Sequence, residues 1–259
     1  MLSKYLKPFH IDNKNLIRIG PKFDGGYVID KRIIHLTETI ITCGLNDDWK
    51  FEKDFLKIKS DCLIIAYDHT VNKEFWIKRL KKDILHFFLF KKLSFRKIIN
   101  MFKYIEYIFF FRNRAIHHKL KIGLQNIKKK EVTLTKVLKD HKDLILKIDI
   151  EGDEYKILSS IIENSDKINC LLIEFHLIDK NITLIEKFII DNNDLKLIHI
   201  HGNNYAGNDS GDPNLIELTF INTKKINIEL TKTNKSYPIS VLDYKNHPKK
   251  KDFILKFED

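Results

Sequence analysis

The sequence predicts an α/β domain built on a mostly parallel sheet, and three observations carry that prediction. Short, continuous Ile/Leu/Val runs recur along the chain, as expected of strands buried on both faces. Segments with helical spacing separate them, and strand–helix alternation of this kind builds βαβ units. One run, Leu144–Ile148, then climbs into a cluster of acids: Asp149, Glu151, Asp153 and Glu154 around Gly152. In open α/β sheets ligands bind in the crevice beyond the carboxyl ends of the strands. Asp153 and Glu154 suit the first turn of a helix, where the dipole favours negative charge. Asp149 and Glu151 read as still belonging to the strand, so the dipole does not account for them. Like charges so close need a cation, a metal or an array of donors.

With 259 residues the chain is long enough to bury a large core. Its 46 Lys+Arg against 35 Asp+Glu give a net charge of +11, which favours anionic partners such as phosphorylated ligands, nucleic acid or an acidic membrane face. A Lys-, Ile- and Asn-rich composition accounts for the same excess. Cys43, Cys62 and Cys170 include no close pair, which argues against a disulfide framework or a zinc knuckle and for buried thiols in a reducing compartment. Residues 1–15 lack the apolar core of a signal peptide, and no uncharged apolar run reaches roughly 18 residues. The expectation is a cytoplasmic protein without a membrane span.

In chain order, Leu16–Asp30 is rich in turn formers. Asp24-Gly25-Gly26 reads either as a hairpin turn or as backbone that approaches a ligand closely. Glu38–Leu45 is a buried strand ending at Gly44. Asp47 or Asp48 is placed to cap a helix over Trp49–Ile58, with Phe51, Phe55 and Ile58 on its apolar face. Cys62–Asp68 is a second buried strand ending in an acid, a position that commonly holds ribose hydroxyls. No GxGxxG accompanies it, so a pyrophosphate cradle is not expected.

Val71–Lys121 is basic and aromatic at once and reads as an inserted helical pair, with Phe95, Ile98, Ile99 and Phe102 on one face. Such a segment covers the sheet, acts as a lid or meets anionic lipid. Lys119–Gln125 follows as a strand, and Thr133 caps a short helix over Leu134–Asp140. Glu154–Ile162 is helical, Lys167–His176 is a strand ending in Glu174 and His176, and Asn181–Asp191 is helical. Leu195–Asn204 is a strand carrying His199 and His201, Leu215–Ile221 is the last strand, and the tail from Ile226 is mixed, with a solvated turn at Pro248–Lys251.

If these strands share one parallel sheet, Asp149, Glu151, Glu174, His176, His199, His201 and Asn204 converge on one rim. Such a group either binds a divalent metal or gives a histidine base oriented by a carboxylate. Spacing alone does not separate the two.

At these residues the chain resembles the FkbM-like branch of class I S-adenosylmethionine-dependent methyltransferases. The similar pieces are Arg18–Val28, Cys43–Phe55, Tyr67–Thr70, LKIDIEGDE at Leu146–Glu154, Ile173–His176 and His199–Asn204, in the family's order. The resemblance implies a single domain over residues 1–259 with the insertion at about 71–121. It implies a Rossmann-like class I methyltransferase sheet, mostly parallel with its last strand antiparallel, and helices on both faces. It further implies O-methylation of a sugar hydroxyl of a surface glycan or its nucleotide-linked precursor. The single glycine of the first turn departs from the two or three that many methyltransferases carry there.

Carried over to this sequence, Gly26, Gly44, Asp68, His69 and Asp149 would line the S-adenosylmethionine site. His176 and His201, supported by Asp149 and Glu174, would direct the acceptor proton. Asp149, Glu151 and His176 would be the ligands of a divalent metal, Mg or Mn, should one take part. The partner expected is a hydroxyl-bearing sugar or phosphorylated molecule, with peripheral contact to the inner face of an anionic membrane. Nucleic acid is not expected, since no RRM, KH or zinc module is visible. The competing readings are a nucleic-acid methyltransferase, suggested by the charge, and a non-catalytic membrane-surface protein on the same fold.

Overall fold

The computed structural model describes residues 1–89 and 102–258. Its elements run β1 (Leu16–Ile19), β2 (Tyr27–Asp30), β3 (Thr39–Cys43), α1 (Lys50–Ile58), β4 (Leu63–Tyr67), α2 (Lys73–Leu89), α3 (Lys103–Asn113) and β5 (Ala115–His118). They continue with β6 (Lys121–Gly123), β7 (Glu131–Thr133), α4 (Leu134–Leu138), β8 (Leu144–Ile148), α5 (Leu158–Glu163), β9 (Ile168–His176), α6 (Ile178–Asp191), β10 (Leu195–Gly202) and β11 (Leu215–Asn222).

Seven strands form one sheet in the order β10-β11-β9-β8-β3-β4-β5. Pairing is parallel from β5 through β4, β3 and β8 to β9, and β11 runs antiparallel between β9 and β10. This is the Rossmann-like class I methyltransferase arrangement, with its reversed last hairpin. Every residue of β3, β8 and β11 is buried, which is why β3 and β8 read as near-continuous apolar runs, whereas β11 alternates because Glu217 and Thr219 meet polar partners on one face. Each fully buried Ile or Leu contributes about 1.5–3 kcal/mol from the area it removes from water.

The two faces are covered differently. On one, the Thr42 hydroxyl donates to Glu52 of α1 at 2.6 Å, and the Thr219 hydroxyl donates to the Val28 carbonyl of the β1–β2 hairpin at 2.7 Å. On the other, Phe188 of α6 lies edge-on to Phe175 and Phe220.

Several boundaries differ from the sequence reading. The central strand's last full pair is at Ile148, and its ladder carries on to the Asp149 amide, which donates to the Cys43 carbonyl of β3 at 2.9 Å; Glu151 lies beyond it in the turn, with a positive φ of 57°. Neither Asp47 nor Asp48 is the N-cap of α1: Trp49 is, without a side-chain bond. Asp48 accepts from the Lys50 amide at 2.9 Å instead, and Asp47 pairs with Arg79. Ile58 is exposed, and the buried face of α1 is Phe51, Glu52, Phe55 and Leu56. Thr133 does cap α4, accepting from the Lys136 amide. Val71–Lys121 is not wholly an insertion, because it contains the sheet strand β5 and the crossover that leads to it from β4. The face Phe95, Ile98 and Ile99 falls outside the described residues, as do Phe90, Lys91, Lys92, Arg96 and Lys97. The tail, read as mixed, packs onto the domain: Tyr237, Ile239, Leu242 and Leu255 are buried, and Asp243 meets His199.

Candidate functional site

The site grows from the turn after β8. Glu151 and Gly152 both adopt left-handed φ, 57° and 104°, which throws the chain back on itself and delivers Glu154 to the end of β9. Glu154 is completely buried, and its carboxylate is filled by donors. One oxygen accepts from the Gly152 amide at 2.8 Å; the other accepts from the His176 amide at 2.7 Å and from Nδ1 of the same residue at 3.0 Å. A carboxylate acceptor assigns the proton to Nδ1 and leaves Nε2 as the nitrogen facing the site. Nε2 lies 3.4 Å from Glu151, 3.6 Å from Glu174 and 3.9 Å from Asp149. Burial pulls the His176 pKa down, but the bond and charge of Glu154 and the charges of Asp149 and Glu151 outweigh it, so the ring titrates above its ordinary value.

Beside this cluster, a cleft of about 260 Å³ opens at the carboxyl ends of β3, β4 and β8. Gly44, Asn46, Asp68, His69 and Thr70 line one side, Tyr67, Leu120 and Ile122 supply apolar wall, and Asp149, Glu151 and Asp153 make an acidic edge. Tyr67 stacks on His118 at 4.9 Å, and past Tyr67 and Leu120 lies a second hollow of about 460 Å³ that carries Lys128, Lys129 and Lys136.

The acids have a structural logic in the register of the sheet. Glu174 pairs with Glu217, and Glu217 with His201, so the three form a row on one face with Asp149 at its end. Asp149 Oδ1 is buried and has no hydrogen-bond partner. Burial lifts the Asp149 pKa to about 6, against the opposing charges of Lys147 and His176. Glu174 is raised well above its ordinary value by burial and by Asp149, Glu217 and Asp24. Below the row, Lys147 is buried with its ammonium 3.5 Å from Glu52. Burial disfavours that charge, but Glu52, Asp149 and Asp48 raise the Lys147 pKa.

The expected site residues fall into three groups. Asp149, Glu151, Glu174 and His176 do come together, and donor atoms of Asp149, Glu151 and His176 lie within 4.8 Å of one another. Gly44 and His69 line the cleft, although the reason for Gly44 is the close backbone at the end of the adjoining strand β8. At its φ of 87°, a Cβ would sit 1.6 Å from the Asp149 carbonyl oxygen.

The third group is corrected by the structure. A Cβ on Gly26 would meet the Pro21 carbonyl and the Arg18 side chain, so this glycine serves the hairpin and does not line the cleft. Asp68 lines the cleft, but its carboxylate is already committed: one oxygen accepts from the Leu45 and Asn46 amides, the other from the Thr70 amide and hydroxyl. Burial raises its pKa, and these bonds more than reverse the effect. Asp68 therefore ties the β3 and β4 turns together, with no acceptor left over for ribose.

His201 is 2% exposed and clamped between Glu217 at 3.3 Å and Asp252 at 3.5 Å. Burial opposes its charge, yet Asp252 and Glu217 lift its pKa to about 10, so it remains an imidazolium and cannot act as a base near neutrality. His199 is also buried, and its Nε2 alone is held, by Asp243 at 2.8 Å. Sequence reasoning missed Glu154, Lys147, Glu52 and Glu217. Glu154 had a signal in its place within LKIDIEGDE, and Lys147 in being the one charge inside an apolar run.

No protein-family model matches the chain, and no curated protein matches it. Among solved structures it is similar to the tRNA m1G37 methyltransferase of M. jannaschii, at 13% identity and a TM-score of 0.32, covering 82% of this chain and 58% of that one. It is also similar to precorrin-6y C5,15-methyltransferase from Geobacter metallireducens GS-15, at 7% identity and a TM-score of 0.35, covering 83% and 98%. The chain thus spans little more than half the length of the first. The class I methyltransferase fold rests on the chain's own strand order.

Proposed function

We propose that this chain is an S-adenosylmethionine-dependent O-methyltransferase whose acceptor is a sugar-like hydroxyl. The observation that carries the reading is the juxtaposition, at the carboxyl ends of the central strands, of a cleft with an acidic edge and His176 held by buried Glu154. The residues fit the cofactor: Tyr67, Leu120 and Ile122 suit a flat base, and the acidic edge of Asp149, Glu151 and Asp153 suits a cationic group. When bound, S-adenosylmethionine supplies a methyl group already activated on a sulfonium.

The chain's own task is then to place a hydroxyl and take its proton. Nε2 of His176 is suited to accept that proton, with Glu154 fixing the ring and stabilising the imidazolium that forms. Asp149, Glu151 and Glu174 crowd this nitrogen with acceptors, which match the donors of a polyol better than a phosphate. Placement in the FkbM-like branch accords with the motif LKIDIEGDE.

A divalent ion is the second reading, favoured by the donor set of Asp149, Glu151 and His176. Their carboxylate and imidazole atoms, with Nδ1 backed by Glu154, suit a metal of the Mn type. The two versions separate by chelation. A metal makes activity sensitive to chelator and restorable by the ion, whereas a histidine base leaves it indifferent.

The test begins with calorimetry of S-adenosylmethionine against the folded protein, followed by mass spectrometry of sugars and sugar nucleotides incubated with methyl-labelled cofactor. His176→Ala is expected to slow transfer by roughly 10²–10⁴. Absence of cofactor binding by the folded wild type overturns the methyltransferase reading. A change of less than tenfold in His176→Ala removes His176 from the chemistry.

A further inference from the structure

Helices α2 and α3 carry large apolar side chains on both their inner and outer sides, yet among the described residues only the inner side of each is covered. There Trp76, Tyr107 and Phe110 are buried. Trp49 meets Trp76 and Tyr107 edge-on at 6.4 and 5.9 Å, and the Tyr107 hydroxyl lies 2.6 Å from Nδ1 of His117. On the outer side, Ile77, Leu80 and Ile84 of α2 are 43%, 45% and 37% exposed at helical spacing, and Ile105 and Phe109 of α3 are 48% and 63% exposed. Helices hydrophobic all round are normally buried in a core or in lipid, and contiguous exposed apolar surface marks an interaction site.

The charge pattern says what kind. The two helices hold seven basic residues (Lys73, Lys78, Arg79, Lys81, Lys82, Lys103, Arg112) against three acids (Glu74, Asp83, Glu106), and of these Arg79 and Lys103 pair with Asp47 on the inner side. Lys78, Lys81 and Lys82 are exposed beside the outer apolar residues of α2. Apolar and aromatic side chains interleaved with lysines are the composition of a surface that lies in the headgroup region of an anionic bilayer, with lysine stems reaching past the apolar residues to phosphate. Among the described residues no helix is long and apolar enough to cross a membrane, so the contact is peripheral.

We propose that the outer face of α2 and α3 docks this protein on an anionic lipid surface. The inference is independent of the methyl-transfer reading, since it uses no residue of the cleft.

Co-sedimentation of the full chain with phosphatidylcholine vesicles, with and without phosphatidylglycerol, tests it. Binding is expected only to the anionic vesicles and is expected to weaken as salt is raised. Each surface lysine is worth about fivefold, so the triple change Lys78→Ala, Lys81→Ala, Lys82→Ala lowers affinity about 100-fold. Ile105→Asp with Phe109→Asp abolishes binding with every basic residue retained. An unchanged melting temperature shows that each variant is folded. Failure of the wild type to pellet with anionic vesicles overturns the proposal, and so does pelleting that both variants leave unchanged. Retention on RNA through these same residues without vesicle binding, or a dimer in lipid-free solution that Phe109→Asp dissociates, assigns the face to another partner and equally refutes it.

Discussion

Glu154→Gln is the most direct probe of how the site is built. The wild-type carboxylate accepts three hydrogen bonds with no exposed surface, from the amides of Gly152 and His176 and from Nδ1 of His176. Glutamine offers one acceptor oxygen. If that oxygen serves His176, the new amide group faces the Gly152 N–H donor to donor. One half-buried amide is then left without its acceptor, a loss of about 1 kcal/mol, the lower end of the range for an orphaned donor, at any pH. The lost charge adds a second effect with a definite sign. His176 titrates above its ordinary value: burial lowers it, but Glu154 leads the groups that raise it. A raised histidine contributes stability that is full below the unfolded imidazole value of about 6.5 and is lost as pH rises through the folded value.

Removing the charge therefore lowers the His176 pKa, and the variant suffers most at acid pH. Urea unfolding at about pH 5.5 and about pH 8.5 should show a larger deficit at the lower pH, with the remaining deficit at the higher pH set by the orphaned amide. NMR titration of the His176 ring should show the midpoint moving down. Equal deficits at both pH values together with an unmoved midpoint would refute the account of Glu154 as the group that charges and orients His176.

Three further outcomes follow from burial and geometry. His201 faces Glu217, Asp252 and Asp243 and is raised to about 10, so its contribution should be full below about pH 6.5 and decline as pH approaches 10, and His201→Gln should flatten that part of a denaturation-against-pH curve. Gly44→Ala places a methyl group against the Asp149 carbonyl at a positive φ, and should cost about 2–6 kcal/mol by thermal unfolding while displacing Asp149 from the cleft. Lys147→Met leaves Glu52 charged and wholly buried, a loss of about 3–5 kcal/mol, and adding Glu52→Leu should recover most of it in a double-mutant cycle.

The sheet was legible because its signal is local and redundant. Runs such as Ile40–Cys43 and Leu171–Phe175 are buried on both faces, so each residue independently reports the same environment. Boundaries were less legible because apolar pattern does not say where a strand stops: Ile148 ends β8 only because Glu151 and Gly152 turn left-handed, and a non-glycine positive φ leaves no mark in a sequence. The hidden strand β5 has the opposite problem. Ala115–His118 is a short edge strand, half of it exposed, inside a segment whose aromatic and basic residues look helical.

The site was legible as a collection of groups and illegible as a set of roles, because a role depends on which donors reach each carboxylate. Asp68 and Glu154 illustrate the difference. Both are acids just past a buried run, and by position Asp68 is the better ligand contact while Glu154 is an ordinary first-turn acid. In three dimensions both are saturated by internal donors, but the donors differ in kind. Asp68 collects three amides and a hydroxyl from its own turn and the preceding one, so its charge is spent on holding two loops. Glu154 spends one of its bonds on an ionisable ring whose other nitrogen faces the site, so its charge is transmitted to a group that can move a proton. His176 and His201 divide in the same way. Each is backed by a carboxylate, but His201 has an acid at both nitrogens within a sealed interior, whereas Nε2 of His176 is directed at the acids beside the cleft. What decides between a structural and a chemical histidine here is where the second nitrogen lies: Asp252 of the C-terminal tail seals that of His201 inside the fold, whereas that of His176 meets Asp149 and Glu151 of the β8 turn, which border the cleft, and neither neighbour is close in the sequence.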